Sequence, residues 1–295
     1  MMRRGPGDDA CSGGAARGLR QDGQAFMPST SRPKLGQHFL ADARYRERIL
    51  DALPLRADDV VIEIGPGRGA MTGLLAKRVR KVVAIEVDSS LASQLQKGFA
   101  QDARVAILHA DVLSVDFTEL CRQQRLAECF VFGNLPYYIT SPILHHLFAH
   151  RDSLRAMGLL VQREVAERLT ARPGSRDYGY LTVSTELYSQ ARLALAVPPG
   201  AFSPPPKVQS ALVAFQMRPR FPHWTREECD EFLEFVKRCF AQKRKTLLNN
   251  LGAIYAREQV AAALAEAGHA GNLRAEQLSL EQLAAVSRLL SPRAK

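Results

Sequence analysis

Val60-Val-Ile-Glu-Ile-Gly-Pro-Gly-Arg-Gly69 is the stretch on which the fold turns. Its apolar, β-branched opening reads as a strand buried on both faces, running into a glycine-rich turn and then a helix. Gly65 and Gly67 let the backbone bend sharply and approach a ligand that a side chain would exclude. In an open α/β sheet such a ligand lies outside the carboxyl ends of the strands. Glu86 closes the second strand, where a carboxylate can accept from both hydroxyls of a ribose. Asp111, at the end of the third, is placed to accept from an adenine amino group. The alternatives are a solvated strand end for Glu86 and a helix cap for Asp111. The expected cofactor is therefore a nucleoside derivative. Gly65-x-Gly67-x-x-Ala70 also satisfies the dinucleotide fingerprint, which keeps an NAD-dependent dehydrogenase open at this point.

Outward from this stretch, apolar runs at 60–64, 82–87, 105–108, 130–132 and 158–161 alternate with helical patterns such as 71–80, 90–99 and 142–150. Strand alternating with helix predicts βαβ units and a parallel, doubly wound α/β sheet. Two later strands, 193–197 and 211–217, are joined by the proline-rich loop 198–208, which has no room for a helix. They are expected to form an antiparallel hairpin at one sheet edge. Beyond Pro219 only helical periodicity remains, at 225–240, 243–251, 257–267 and 280–290. Thr225 followed by Glu228 is a capping-box signature. The expected organisation is an extension at 1–33, an α/β domain at 34–218 and a small all-α domain at 219–295. The extension is rich in Gly, Arg, Ser and Pro and is expected to be disordered. It has no apolar segment after Arg3 and Arg4 for a secretory signal, and Asp8, Asp9 and Asp22 argue against a transit peptide. Met27 is an alternative start.

A formal charge of +10 over 295 residues suits a polyanionic partner, nucleic acid or an anionic membrane, although many basic proteins bind neither. No apolar run reaches the roughly 18 residues of a membrane span. The five cysteines are odd in number and form no C-x-x-C pair, so reduced thiols in a cytoplasmic protein are expected, with no metal site.

Gly133-Asn134-Leu135-Pro136-Tyr137 follows the fourth strand, beside the cofactor cleft. Hydride transfer gives no reason for this combination, whereas methylation of an adenine amine does. The N6 lone pair is delocalised into the ring and poorly nucleophilic. The Asn134 side-chain oxygen and a main-chain carbonyl at Leu135 or Pro136 can each accept one N–H and turn the nitrogen toward tetrahedral. Pro136 stiffens the loop and adds no competing donor. Tyr137 offers a face for a flipped base, worth about 1–3 kcal/mol. The nitrogen loses its proton after attack, so no strong base is needed and positioning carries catalysis. The alternative is a plain turn with an aromatic plug.

With these residues quoted, the chain resembles the KsgA/RsmA family of bacterial small-subunit ribosomal RNA adenine dimethyltransferases, relatives of the Erm resistance enzymes. The likeness runs from Lys34 to about Leu290. It rests on Lys34-Leu-Gly-Gln-His-Phe-Leu40, Glu63-Ile-Gly-Pro-Gly67, Glu86 with Asp88, Asn134-Leu-Pro-Tyr137, Ala201-Phe-Ser-Pro-Pro-Pro-Lys-Val208 and Gln242-Lys-Arg-Lys-Thr246. The resemblance implies a Rossmann-like class I methyltransferase sheet and S-adenosyl-L-methionine as cofactor. It implies cofactor contacts from His38, Leu40, Gly65, Glu86, Asp111 and Asn134. Many family members carry asparagine where this chain has His38. Phe202 matches the aromatic that sandwiches the target base opposite Tyr137; read without the family, it is a core residue. The implied product is a pair of adjacent dimethyladenosines in the 3′-terminal hairpin loop of 16S RNA. The implied partner is an immature 30S particle, approached by a monomer. Lys243, Arg244 and Lys245, at the expected start of a helix, and Lys207 in the proline loop are candidate phosphate contacts. The alternative for each is a solvated cation. Competing functions are an Erm-type enzyme acting on large-subunit RNA and a non-catalytic ribosome assembly factor.

Overall fold

A computed structural model of the chain describes residues 38–291. The readings made of 1–33, and of Lys34 to Gln37 in the entry segment, lie outside the described residues. Nine strands and eleven α-helices follow in the order β1 (Phe39–Leu40), α1 (Ala43–Ala52), β2 (Val60–Ile64), α2 (Ala70–Leu75), β3 (Lys81–Glu86), α3 (Ser89–Gly98), β4 (Val105–His109), α4 (Phe117–Gln123), β5 (Cys129–Asn134), α5 (Thr140–Ala149), β6 (Leu154–Gln162), α6 (Arg163–Leu169), α7 (Tyr180–Tyr188), β7 (Ser189–Val197), β8 (Phe202–Ser203), β9 (Ser210–Met217), α8 (Arg226–Cys239), α9 (Leu247–Leu251), α10 (Arg257–Glu266) and α11 (Leu280–Leu290).

The central sheet has seven strands in the order β4-β3-β2-β5-β6-β9-β7. β4, β3, β2, β5 and β6 are parallel, and β9 runs antiparallel to both β6 and β7. The doubly wound α/β sheet and its antiparallel edge hairpin are both present. All five β2 residues are buried, as a central strand covered on both faces requires. Alternate residues face alternate cores: Val60, Ile62 and Ile64 pack with α4 and α5, while Val61 packs with Ile49 and Leu50 of α1 and Met71 and Leu75 of α2. The strand order reverses between β3 and β5 on either side of β2, so the ligand crevice of this sheet opens at the carboxyl ends of β2 and β5.

At the other end of the sheet a buried ion pair ties β6 to the entry of β2. Arg155 donates to both oxygens of Asp59, at 3.2 and 2.6 Å, and to the Pro54 carbonyl at 3.1 Å. Its guanidinium crosses the Phe130 ring of the intervening β5 at 5.6 Å. The Arg56 amide donates to Asp59 as well, at 2.7 Å, so the carboxylate accepts three hydrogen bonds from two residues.

No strand follows Met217 among the described residues, and α8 to α11 form a helical tail. The Thr225–Glu228 capping box is formed in both directions. Phe232, Val236, Leu264 and Leu283 of the tail belong to the same apolar cluster as Leu144 and Leu187 of the α/β portion. Three local expectations are corrected. The helix expected at 71–80 stops at Leu75, because the Arg80 amide donates to the Asp59 carbonyl and the chain must turn to start β3. The strand expected at 82–87 ends at Glu86 and leaves Val87 exposed. The helix expected at 243–251 begins only at Leu247, capped by Thr246, so Lys243, Arg244 and Lys245 lie in the turn before it.

Candidate active site

Gly65, Gly67 and Gly69 all take left-handed backbone, with φ of +66°, +58° and +80°. A side chain is disfavoured at each for that reason. At Gly67 a Cβ would also meet the Phe39 ring at 2.7 Å. A Cβ on Gly65 would find only the Asn134 carbonyl, 3.8 Å away. The turn after β2 therefore lies beside the end of β5.

Glu86 ends β3 and is buried. Its two oxygens accept from the Gly67 amide at 3.2 Å and the Asp88 amide at 3.0 Å. Burial raises its pKa, and the two amide donors work against that rise. Asp111 is exposed and caps a short 3-10 turn, accepting from the Leu113 amide at 3.0 Å with one oxygen. The helix-cap alternative is thus realised, and it leaves the second oxygen available. Val87 and Leu113 stand beside these carboxylates and are 64% and 38% exposed. Two apolar side chains open to water next to two acceptors suit a flat base carrying a hydroxylated sugar. The adenosine half of S-adenosyl-L-methionine fits that cradle. Neither Val87 nor Leu113 was singled out from sequence, although Val87 carries a signal as an apolar residue immediately after a strand-ending carboxylate.

Asn134 is the last residue of β5. Its Nδ2 donates to the His38 carbonyl at 3.0 Å. A carbonyl can only accept, so this contact fixes which end of the amide is which, and Oδ1 is left without that partner. The Leu135 amide donates to the Leu160 carbonyl at 3.0 Å, which holds the loop on β6. The Pro136 carbonyl already accepts from the Ile139 amide and the Thr140 hydroxyl, both at 3.2 Å. No described residue is seen to donate to the Leu135 carbonyl. Of the two main-chain acceptors the sequence left open, Leu135 is the free one. Tyr137 is half-buried, its hydroxyl 2.7 Å from that of Ser210 on β9. Ser210 is 73 residues away and carried no signal in the sequence.

Phe202 requires a correction. It is only 4% exposed, packed among Leu40, Val197, Ala201 and Leu212, and β8 pairs antiparallel with β1. In this structure its ring presents no open face opposite Tyr137, and core packing is what it does. The physical cause is the Leu40–Phe202 register of the β1–β8 pair, which turns both side chains into the core. Leu40 is buried too, so any contact with a cofactor falls to its main chain. Lys207 is exposed in the proline loop, apart from the β5 motif in sequence. Lys243, Arg244 and Lys245 are exposed, and Lys243 donates to the Arg176 carbonyl at 3.3 Å.

Glu63 belongs to the quoted motif yet received no role from sequence. It is 2% exposed beside Thr72, and its pKa is pushed up from 4.5 to about 7, chiefly by burial and further by the Glu86 charge, with the Thr72 hydroxyl opposing. Below the unfolded value the carboxyl is protonated in both states and costs nothing. Its burial penalty grows as pH rises and is complete above about 7. Glu63→Gln, which mimics the neutral form, is expected to stabilise the protein by up to about 3 kcal/mol at alkaline pH. Urea unfolding should show the gain shrinking as pH falls from about 7 toward 4.5. A gain independent of pH would mean that Glu63 is not the titrating group.

The chain matches the family described as "Ribosomal RNA adenine dimethylase" over residues 29–291. It is 46% identical over 270 residues to a ribosomal RNA small subunit methyltransferase A of Acidobacterium capsulatum, covering 91% of this chain and 94% of that one. A protein of the same name from Geobacillus kaustophilus is 37% identical over 292 residues, covering 97% and 98%. Among solved structures, the 23S rRNA methyltransferase ErmE superposes with a TM-score of 0.66 at 29% identity, covering 86% of this chain and 100% of that one. A dimethyladenosine transferase from Plasmodium falciparum shares the fold, with a TM-score of 0.71 at 24% identity and coverage of 84% and 96%. The glycine turn, the carboxylate at Glu86 and the oriented amide at Asn134 thus sit on a chain that matches one family along almost its whole length, and the protein belongs to the ribosomal RNA adenine dimethylase family.

Proposed function

We propose that this chain dimethylates N6 of two adjacent adenosines in the 3′-terminal hairpin loop of 16S ribosomal RNA. It acts as a cytoplasmic monomer on an immature 30S particle. The observation that carries the reading is the Asn134 amide, whose Nδ2 is taken by the His38 carbonyl so that Oδ1 is left as an acceptor, one residue before the Leu135 carbonyl. Two acceptors on one short loop match the two N–H groups of an exocyclic amine. The relatives named for the small subunit reach 46% identity, against 29% for the 23S enzyme, which favours 16S RNA as substrate.

When bound, S-adenosyl-L-methionine supplies an electrophilic methyl on its sulfonium. Glu86 would accept from its ribose hydroxyls and the free Asp111 oxygen from its adenine amine, and Gly65 would admit it close to the main chain. Asn134 Oδ1 and the Leu135 carbonyl hold the target amine so that its lone pair leaves the ring plane. Tyr137, fixed by Ser210, offers the base a rigid face. The amine proton leaves after the C–N bond forms, to solvent, so no side-chain base is required. Phe202 can add a second face only if the β1–β8 clamp opens; β1 carries Leu40, and His38 directly precedes it.

Mass spectrometry of 16S RNA tests the reading. A strain lacking its own enzyme should regain paired dimethyladenosines when given this chain. Methylation of 23S RNA with macrolide resistance would instead identify an Erm-type enzyme, and no methylation would leave an assembly factor.

The all-α region at 219–295 is the proposed RNA-contacting domain. None of Lys243, Arg244 and Lys245 is in an ion pair with a described residue, so their charge is available to phosphates. Lys207 is the corresponding cation of the proline loop. Neutralising the three should weaken binding to all RNA sequences alike and flatten the salt dependence by about 0.7–0.9 of a unit per lost contact. A filter-binding salt titration with unchanged slope would show them to be solvated only.

A further inference from the structure

We propose that His38 is a positioning residue for the target base and that its imidazole is not a ligand of the cofactor. The inference rests on the reading of residues 134–137 as the base-binding loop. Three contacts converge on His38. Its main-chain carbonyl accepts from Asn134 Nδ2 at 3.0 Å. Its Nδ1 lies 2.7 Å from the Pro204 carbonyl. Its ring stacks on Tyr137, with centroids 6.0 Å apart and planes 29° from parallel.

The chemistry of these contacts is definite. The Pro204 carbonyl can only accept, so Nδ1 carries the proton and the imidazole is held by it. A ring held at one edge and stacked on its face limits how far Tyr137 can swing, in the offset geometry that aromatic pairs favour. The next residues, Phe39 and Leu40, pair with Ser203 and Phe202. One residue thereby sets the mutual position of the Asn134 amide, the Tyr137 platform and the proline turn that carries Phe202. Asparagine at this position keeps the main-chain contact with Asn134 but brings no ring to Tyr137.

The expected consequence separates base from cofactor. His38→Ala should lower the single-turnover methyl-transfer rate about ten- to a hundredfold, the scale on which small misplacements act. Its affinity for S-adenosylhomocysteine, read by calorimetry, should stay that of the parent. Monomethyladenosine should accumulate, because the second transfer has one N–H fewer to hold the base and leans more on stacking. His38→Phe restores the ring without the Nδ1 donor and should recover most of the ratio of dimethyl to monomethyl product. His38→Asn, which has no ring, should not. An RNA carrying 2-aminopurine at the target position reports stacking directly, and its fluorescence should be less quenched by the alanine and asparagine variants than by the phenylalanine one.

Loss of S-adenosylhomocysteine affinity in His38→Ala, with normal 2-aminopurine quenching, would overturn the proposal and make the imidazole a cofactor ligand. Parental rates and product ratio in both His38→Ala and His38→Asn would overturn it as well. A parent protein that methylates no ribosomal RNA would overturn the underlying reading, and this proposal with it. An active parent with indifferent variants overturns only the role of His38.

Discussion

Asn134→Ala is expected to abolish both methyl transfers while leaving the fold largely in place. The amide works at both ends. Nδ2 holds the His38 carbonyl at 3.0 Å, and Oδ1 is the side-chain acceptor proposed for the target amine. Alanine removes both, and the lone pair of N6 stays conjugated with the ring. Loss of one preorganised hydrogen-bonding group at a reacting centre costs about 10²–10³ in rate. With no general base to share the work, the loss here should lie at the upper end or beyond. Asn134→Asp refines the test. It keeps an acceptor but sets a carboxylate oxygen against the His38 carbonyl, so the loop is pushed apart and activity should remain low. Single-turnover assays that resolve monomethyl from dimethyl product, with calorimetry on S-adenosylhomocysteine, separate the transfer step from cofactor binding. An alanine variant that transfers either methyl at the parental rate would remove Asn134 from the chemistry.

The largest expected effect on stability lies at the far end of the sheet. Asp59→Ala leaves the Arg155 guanidinium without its carboxylate where both side chains are under 10% exposed. Breaking a buried pair from one side costs about 3–5 kcal/mol, because a charge is left uncompensated in the core. The Pro54 carbonyl, the other acceptor of Arg155, cannot neutralise it. The melting temperature should fall by on the order of 10 °C. Replacing both partners by apolar residues, Asp59→Leu with Arg155→Leu, removes the stranded charge and should recover most of the loss. Urea unfolding of the two single variants and the double one completes the cycle. Additive losses would show that the two residues act independently and that the pair contributes nothing of its own.

Much of this protein could be read in its sequence because the determining physics is local. Three glycines within five residues were legible as a ligand turn, since left-handed backbone is a property of single residues. The Thr225–Glu228 capping box and the bounds of α11 were legible for the same reason, being fixed within one turn of helix. The alternation of strand and helix gave the sheet, and the short proline loop gave the hairpin. Where a neighbour far along the chain competed with the local pattern, the local pattern misled. Asp59 ended the helix expected at 71–80, and the Leu247 amide donates to the Leu273 carbonyl, so the helix expected from 243 starts only at Leu247, after the Thr246 cap.

What the tertiary structure alone decided are the partners. Asn134 meets His38 across 96 residues, and His38 meets Pro204 across 166. Arg155 reaches Asp59 across an intervening strand, and Tyr137 is anchored by Ser210 from β9. No periodicity or spacing encodes such pairs, because they depend on strand order and register, which are settled only when the whole sheet assembles. Phe202 shows the difference in one residue. The sequence placed it in a proline loop near the base site, and the two-residue pairing of β1 with β8 turned its ring into the core.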